Sequence, residues 1–274
     1  MCEKLNNFQG FIDTHAHLNM LKKDVDISAI FAKGFSGIID IGSKADDLPA
    51  RLSAFSCFDR VFFTAGIWPS ADSIANRREY MAILEEDVAS APRDRLVAIG
   101  ECGIDRHHNN KLANSDLAGE RELFELQLDL AKKLNLPIVV HSRSSANETR
   151  EILANYPDVR AVIHCFSYDI AQARLFLDMG CYLSFAGTLT YKNAHDLRSA
   201  FAFAPLGKIL LETDSPYLAP QAFRGSLANP AMVTETYKVA CGLLNVEIED
   251  LKERIAKNVS AVFGFSETSF RLTI

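Results

Sequence analysis

Six side chains of the types that bind divalent metal ions recur along the sequence, each at or just after a short apolar run. They are His15, His17, Glu101, His141, His164 and Asp214. His15 and His17 are two residues apart, which places both imidazoles on the same side of an extended chain. Imidazole suits zinc, copper, iron and nickel, whereas carboxylates suit harder cations or bridge two ions. The mixture predicts a metal site and leaves the metal open.

Such a set would support hydrolytic chemistry. A carboxylate from a middle strand can bridge two ions about 3.5–4 Å apart, and two ions lower the pKa of a shared water and neutralise charge on a carbonyl or phosphoryl oxygen. Asp214 could hold one ion and also accept the proton of the attacking water. A single histidine at a strand end is more often a hydrogen-bonded structural residue than a metal ligand. The prediction of a metal site therefore depends on five separate strand ends that carry ligand-type residues.

The elements that must position these side chains are eight short apolar runs. They cover residues 11–13, 37–41, 61–65, 96–99, 137–140, 161–163, 182–185 and 209–211. Continuous apolar runs are typical of parallel strands buried on both faces. On this prediction Glu101 ends the fourth strand, and His141 and His164 end the fifth and sixth. Glu212 and Asp214, again two apart, end the eighth.

Helical periodicity fills most of the segments between these runs. The clearest segment is 120–136, where an apolar stripe ends at Asn135, Leu136 and Pro137. Residues 150–156, 170–179, 194–202, 230–244 and 248–265 show similar patterns, and 109–119 is predicted to be a loop. Strands alternating with helices over about 250 residues predict an α/β fold, a TIM-type (β/α)8 barrel, whose C-terminal face would gather the six side chains. A doubly wound open sheet is the alternative, which the lack of a GxGxxG motif weakens.

Composition and charge narrow the function classes. Of 274 residues, 48% are hydrophobic and 23% charged, which excludes a disordered, collagen-like or coiled-coil chain. No linker divides the chain, so we expect residues 1–274 to form a single domain. The net charge of −6 gives no overall attraction for nucleic acid, so a nucleic-acid substrate would need a local basic pocket.

The sequence predicts a cytoplasmic protein without membrane contact. No window approaches the roughly 20 apolar residues that span a bilayer, and the first residues contain no signal-peptide core. The six cysteines are scattered without metal-site spacing, which favours reduced thiols packed mostly as small apolar residues. Nothing in the sequence predicts a protein partner.

Seven longer stretches of the sequence form an ordered series of motifs, namely FIDTHAHL from Phe11, AIGECGID from Ala98, LPIVVHSR from Leu136, VIHCFS from Val162, LSFAGTLTYKNA from Leu183, LLETDSPYLAP from Leu210 and FRGSLANP from Phe223. In these stretches the chain resembles the TatD-like metal-dependent hydrolases, a branch near the amidohydrolase superfamily. The stretches span residues 11–230 in the family's order, so the resemblance covers most of the chain.

This resemblance implies a TIM-type barrel with two divalent ions, such as zinc, manganese or magnesium. It implies that one ion is held by His15, His17 and Asp214 and the other by His141 and His164, with Glu101 bridging them. Family members are usually assigned as cytoplasmic deoxyribonucleases or phosphodiester hydrolases. The resemblance therefore predicts DNA or a small phosphodiester as substrate, with Asp214 and Glu101 as catalytic residues.

Three basic residues in the family's motifs are predicted to lie on rim loops. They are Arg143, Lys192 and Arg224. We expect them to bind substrate phosphate, Arg224 foremost because a guanidinium can do so bidentately, although a surface salt bridge or loop anchor is the alternative. Glu212 is predicted to hydrogen-bond a ligand imidazole, and Asp105 to organise its own loop.

The sequence departs from the family where substrate is expected. The family shows a glycine followed by His-Pro-His after the third strand, whereas residues 66–70 read GIWPS. Residues 228–230 read ANP in place of Asn-Glu-Pro, and His107 and His108 stand where aromatic residues are common. The two histidines are predicted to be a solvated loop pair, and Trp68 to stack on a ring or pack in the core. A metal-dependent hydrolase is therefore a safer inference than a deoxyribonuclease.

Three functions remain open from the sequence. The first is two-metal hydrolysis of phosphodiesters, with DNA ends or small nucleotides as substrates. The second keeps the metal centre but cleaves an amide, lactone or ester, and the loss of the two rim histidines motivates it. The third is a metal-loaded binding or scaffold protein with a relict site, against which the six intact ligand residues argue.

Overall fold

Parallel strands dominate the computed structural model, which describes residues 10–23, 25–111 and 116–265, without the side chain of Lys111. Within these residues the strands are β1 (Phe11–Ala16), β2 (Phe35–Asp40), β3 (Val61–Ala65), β4 (Leu96–Asp105), β5 (Ile138–Arg143), β6 (Ala161–Ile163), β7 (Tyr182–Phe185) and β8 (Ile209–Leu211). Each strand pairs in parallel with the next one in the chain. A bridge between Ala16 and Ser215 brings β1 back beside the segment that follows β8. The predicted (β/α)8 barrel is confirmed.

Helices lie between the strands and after the last one. Within the described residues they are α1 (Ile27–Ala32), α2 (Leu48–Ala54), α3 (Ala71–Ala75), α4 (Arg77–Ser90), α5 (Leu117–Leu134), α6 (Ala146–Leu153), α7 (Ile170–Asp178), α8 (His195–Phe203), α9 (Val233–Leu244) and α10 (Ile248–Phe263). In the described part of the chain, no helix is both long enough and apolar enough to cross a membrane. Cys2 lies outside the described residues, and the other five cysteines are free thiols.

Burial on both faces explains the continuous apolar runs. Every residue of β2, β3 and β4 is buried, and the core joins strand side chains such as Phe63 and Leu210 to helix side chains such as Phe124 and Ile255. Helix α5 is capped at its start by Asp116, whose carboxylate accepts a hydrogen bond from Gly119 N, and at its end by Asn135 in the left-handed conformation. The sequence signals for the end of this helix are therefore borne out.

The fourth strand is longer than predicted. Strand β4 continues from Leu96 to Asp105 because it pairs with β5 as far as Arg143, so Glu101 lies inside the strand rather than at its end. The polar Glu101 and two glycines interrupt the apolar run and concealed this extension. Gly103 has φ +142°, and a Cβ there would lie 2.0 Å from His141 O, so only glycine fits this close approach.

Other boundaries also differ from the prediction. Helix α6 begins at Ala146 rather than residue 150, and a separate 3-10 turn occupies Pro230–Met232 before α9. The predicted loop over 109–119 contains a 3-10 turn at Asn109–Lys111 and the start of α5, while residues 112–115 lie outside the described residues.

Candidate metal centre

The six side chains predicted to bind metal come together at the C-terminal end of the barrel. His15 lies in β1, His17 directly follows that strand, and Glu101 lies in β4. His141 lies in β5, while His164 and Asp214 follow β6 and β8.

Glu101 lies between two pairs of imidazoles. Its Oε1 atom is 2.9 Å from Nδ1 of His141 and 2.9 Å from Nε2 of His164. Its Oε2 atom is 3.6 Å from Nε2 of His15 and 3.5 Å from Nε2 of His17. One carboxylate oxygen therefore faces each pair, which is the geometry that a carboxylate bridging two ions requires.

Asp214 completes the pair formed by His15 and His17. Its Oδ1 atom lies 3.6 Å from Nε2 of His15 and 3.5 Å from Nε2 of His17. The ligand atoms of these three residues lie within 4.8 Å of one another, and those of His15, Glu101 and His164 do so as well. This is the spacing that a single metal ion can hold together.

The unpaired nitrogens of His15 fit a divalent ion. Both ring nitrogens are buried and lack a hydrogen-bond partner among the described residues. An unpaired buried polar atom is costly, and a metal ion would satisfy Nε2, the nitrogen that faces Glu101 and Asp214. Burial and the nearby charge of His164 lower the pKa of His15, which favours the neutral imidazole that a metal ligand must be.

The charges of the cluster keep its carboxylates ionised. Burial opposes the charged form of Glu101, but His164 and the other imidazoles around it hold the pKa of that carboxyl well below its usual range. Burial likewise opposes ionisation of Asp214, yet contact with His17 and the neighbouring imidazoles lowers its pKa. Both side chains are therefore anionic near neutral pH, as metal ligands need to be.

Backbone contacts position the β1 side of the centre. Asp214 has φ +58°, and its N–H donates to His15 O at 2.9 Å, which ties the segment after β8 to β1. Asp13 strengthens this link because its carboxylate accepts hydrogen bonds from the N–H and the hydroxyl of Thr213 at 2.9 and 2.6 Å. Nδ1 of His17 lies 3.3 Å from Ile41 O, which orients Nε2 towards Glu101 and Asp214.

Glycine allows the β4 backbone to approach its neighbours. Gly100 has φ +132°, and a Cβ there would lie 2.5 Å from Val139 O. The carbonyl of Gly100 accepts a hydrogen bond from Thr64 Oγ1 at 2.5 Å, and Glu101 N donates to Gly42 O at 2.8 Å. Strands β3 and β5 and the loop after β2 therefore fix the position of Glu101.

Two acidic side chains contact the imidazoles on the β5 and β6 side. Oδ2 of Asp105 lies 2.9 Å from Nε2 of His141 and 2.7 Å from Nδ1 of His108. Oε1 of Glu212 lies 3.5 Å from Nδ1 of His164, a distance suited to charge pairing but longer than a normal hydrogen bond. Asp105 organises its loop as predicted, since it also accepts a hydrogen bond from His108 N, but its contact with His141 was missed.

A cavity of about 930 Å³ opens above the centre. Of the three basic residues predicted to bind substrate, Arg143 lines this cavity, whereas Lys192 and Arg224 do not. The Arg224 guanidinium instead lies 4.4 Å from the centre of the Tyr191 ring, and the Lys192 N–H donates to Gln221 Oε1.

Several lining residues were missed or misjudged from the sequence. Lys44, in the loop after β2, lines the cavity, and the only signal for it was its place after a barrel strand. His107 and His108 lie in the turn after β4, as the prediction of a solvated loop pair has it, and they also line the cavity. The His108 side chain is 56% exposed but is held by Asp105. Trp68 lies at the cavity wall rather than in the core.

Comparisons with known proteins agree with this architecture. A family model described as TatD related DNase matches residues 12–264. The Escherichia coli protein named "Uncharacterized metal-dependent hydrolase YcfH" is 32% identical over 264 residues, covering 92% of this chain and 95% of that protein. The Bacillus subtilis protein named "Uncharacterized metal-dependent hydrolase YabD" is 30% identical over 257 residues, covering 92% and 98%.

Solved structures show the same fold. The crystal structure of YJJV, a TatD homologue from Escherichia coli, superposes with a TM-score of 0.85 at 25% identity, covering 94% of this chain and 100% of that one. A TatD family hydrolase from Entamoeba histolytica superposes with a TM-score of 0.78 at 17% identity, covering 93% and 98%.

Proposed function

The chain belongs to the TatD-related DNase family, and from this premise we propose that it is a divalent-metal-dependent hydrolase of phosphodiesters. The proposed substrates are DNA ends, short single strands or small nucleotides. The position of Glu101 carries the proposal, because its two carboxylate oxygens face separate pairs of imidazoles. This arrangement supports two ions bridged by one carboxylate.

Asp214 in the candidate metal centre and Glu212 beside it have distinct roles in this proposal. When bound, two divalent ions supply Lewis-acid chemistry that lowers the pKa of water and neutralises charge on a phosphoryl oxygen. Asp214 borders the cavity and stays ionised, so it can accept a proton from the attacking water. Glu212 holds its neighbours in place, since its carboxylate accepts a hydrogen bond from Cys165 N at 2.7 Å and also binds Ser184.

Two cations on the cavity wall support an anionic substrate. Arg143 and Lys44 both line the cavity and are exposed, and neither side chain donates a hydrogen bond to a residue that the structure describes. In a chain with a net charge of −6, these two side chains place positive charge at the cavity wall, where the phosphate of a phosphodiester would find a partner. A neutral amide or lactone would leave both without a charged partner.

A substitution at the rim of the cavity favours a second candidate function, the hydrolysis of an amide, lactone or ester by the same centre. Ser70 stands where the family has histidine, and its hydroxyl lies 2.7 Å from Ser73 Oγ in the cap of α3. Its hydroxyl is therefore engaged in the helix cap. If that histidine acts on the phosphate in relatives, this chain performs the task differently or acts on another bond.

Turnover by metal-loaded protein tests the proposal. We expect cleavage of bis-p-nitrophenyl phosphate and of end-labelled single-stranded DNA, and we expect Asp214→Asn to abolish both. Asp158→Asn is the matched control, because this exposed aspartate precedes β6 at the opposite end of the barrel and should leave turnover unchanged. Cleavage of amides or lactones but no phosphodiester, with metal content verified, would favour the second candidate. Inactivity on the whole panel would favour a binding protein.

A further inference from the structure

Trp68 forms an aromatic wall beside the proposed metal centre. Its ring centre lies 5.7 Å from that of His141 and 6.1 Å from that of His108, with interplanar angles of 73° and 69°. Both contacts are edge-to-face, so neither imidazole stacks parallel on the indole. Because Trp68 lines the cavity and is only partly buried, a flat ligand can reach it.

The backbone holds this wall in place. Trp68 N donates to Ser43 O at 3.0 Å, and Trp68 O accepts a hydrogen bond from Ser73 Oγ at 2.6 Å. The next residue is also fixed, because Pro69 O accepts a hydrogen bond from Asn109 Nδ2 at 2.9 Å. A platform fixed in this way loses little conformational entropy when a ligand binds.

Asp105 ties the wall to the metal centre. Its Oδ2 atom contacts His108 Nδ1 at 2.7 Å and His141 Nε2 at 2.9 Å. The same carboxylate therefore orients an imidazole beside the Trp68 indole and an imidazole beside Glu101. A ring that stacks on Trp68 would lie next to a group bound at the centre.

We propose that Trp68, assisted by His108, stacks a nucleobase adjacent to the bond that is cleaved. This inference rests on the proposed phosphodiesterase function and deepens it. It makes Trp68 a specificity-determining residue that favours substrates with an unpaired base next to the scissile phosphate. Stacking accepts any base because every base has a π-face, so this subsite selects single-stranded ends without reading their sequence.

Fluorescence tests the stack directly, because Trp68 is the only tryptophan in the chain. We expect thymidine 5′-monophosphate to quench the fluorescence of the metal-loaded protein in a saturable way, since the base covers the indole. The matched ligand, 2-deoxyribose 5-phosphate, has the sugar and phosphate but no base and should leave the emission nearly unchanged. Equal quenching by both ligands, or none when calorimetry shows thymidine monophosphate bound, overturns the proposal.

Variants separate stacking from a structural role. Loss of base stacking in Trp68→Ala is expected to weaken binding of thymidine monophosphate about 10-fold or more, measured by calorimetry. Binding of deoxyribose phosphate should change little, and Trp68→Phe should restore most of the affinity because it keeps a ring. Phe223→Ala, which removes an exposed ring outside the cavity lining, is the control. An equal loss of affinity for both ligands in Trp68→Ala would contradict stacking. If Trp68→Ala fails to fold, the fluorescence experiment on the wild-type protein decides the proposal.

Cleavage of two oligonucleotides distinguishes this proposal from the one on which it rests. One substrate is intact, and the other has an abasic nucleotide beside the terminal phosphodiester. Equal kcat/KM for both substrates would contradict the stacking subsite but would still support the phosphodiesterase proposal. Saturable, base-dependent quenching without cleavage of any phosphodiester would instead support the nucleobase subsite and contradict the phosphodiesterase function.

Discussion

The floor of the cavity and its rim are built in different ways. The floor is the set of six side chains of the candidate metal centre, all of which except His15 line the cavity. Four of them, His15, His17, Glu101 and His164, are at most 5% exposed. The rim includes Tyr217, which is 52% exposed, and His108, whose side chain is 56% exposed. The floor side chains are buried among one another, whereas these two rim side chains are largely exposed to solvent. A substitution at either exposed rim side chain therefore disturbs fewer buried contacts than one at the floor.

The largest expected effect comes from removing the charge at the middle of the floor. Glu101→Gln keeps the shape of the side chain but provides a neutral amide where both imidazole pairs face a carboxylate. We expect bound metal to fall and turnover to decrease well beyond the roughly 10–100-fold that supporting residues contribute. Metal analysis of the purified protein and the kcat for bis-p-nitrophenyl phosphate measure both effects.

Glu85→Gln provides the control for this substitution. Glu85 is exposed on α4, so the same chemical change there should leave metal content and kcat as in the wild type. A Glu101→Gln protein with full metal content and normal turnover would contradict the bridging role of this carboxylate.

The next effect tests how far the floor depends on its supporting contacts. Asp105→Asn replaces the charged acceptor of His141 Nε2 by an amide, so the tautomer and basicity of that imidazole are less well fixed. We expect metal affinity to weaken by roughly 10–100-fold, as is typical for residues that orient a metal ligand. A drop in bound metal from two ions to one per chain would locate the loss on the β5 side.

His108→Ala separates the orientation of His141 by Asp105 from the organisation of the loop by Asp105. It removes the contact of Asp105 with the His108 ring but keeps the contact with His141. Metal affinity should therefore stay near that of the wild type. If the two variants lose metal equally, Asp105 acts through its loop and not through His141.

The residues of the floor could be predicted from the sequence because the barrel topology determines which side chains meet. The C-terminal ends of barrel strands converge on one face, so ligand-type residues near five apolar runs were expected to meet. The structure brings all six together, although their roles as metal ligands stay predictions. The extension of β4 was missed because Gly100, Glu101 and Gly103 interrupt the hydrophobic pattern that marks a strand.

The supporting contacts could not be predicted because they join distant parts of the chain. Asp105 and His141 are 36 residues apart, and Asp13 and Thr213 are 200 residues apart. No local spacing encodes either pair. At the rim the difficulty was different, because a place in a loop does not fix which way a long side chain points. Arg224 seemed the better phosphate ligand, yet it lies against Tyr191, whereas Arg143 lines the cavity.

The smallest expected effect is on the KM for DNA when either of these two arginines is replaced. The comparison tests which arginine at the rim contacts the substrate phosphate. The Arg143 side chain lines the cavity and makes no hydrogen bond or ion pair with a described residue. Arg143→Ala should therefore raise the KM for DNA by roughly 10-fold, the size of one charge-assisted hydrogen bond. Arg224→Ala is the matched change outside the cavity, where the guanidinium lies on a tyrosine ring, and it should change KM by less than about 2-fold. Initial rates over a range of DNA concentrations measure both, and kcat should change little because neither residue lies at the floor. A larger rise in KM for Arg224→Ala would mean that the loop after β8 moves over the cavity when substrate binds, and the rim would then be more mobile than the floor as well as more exposed.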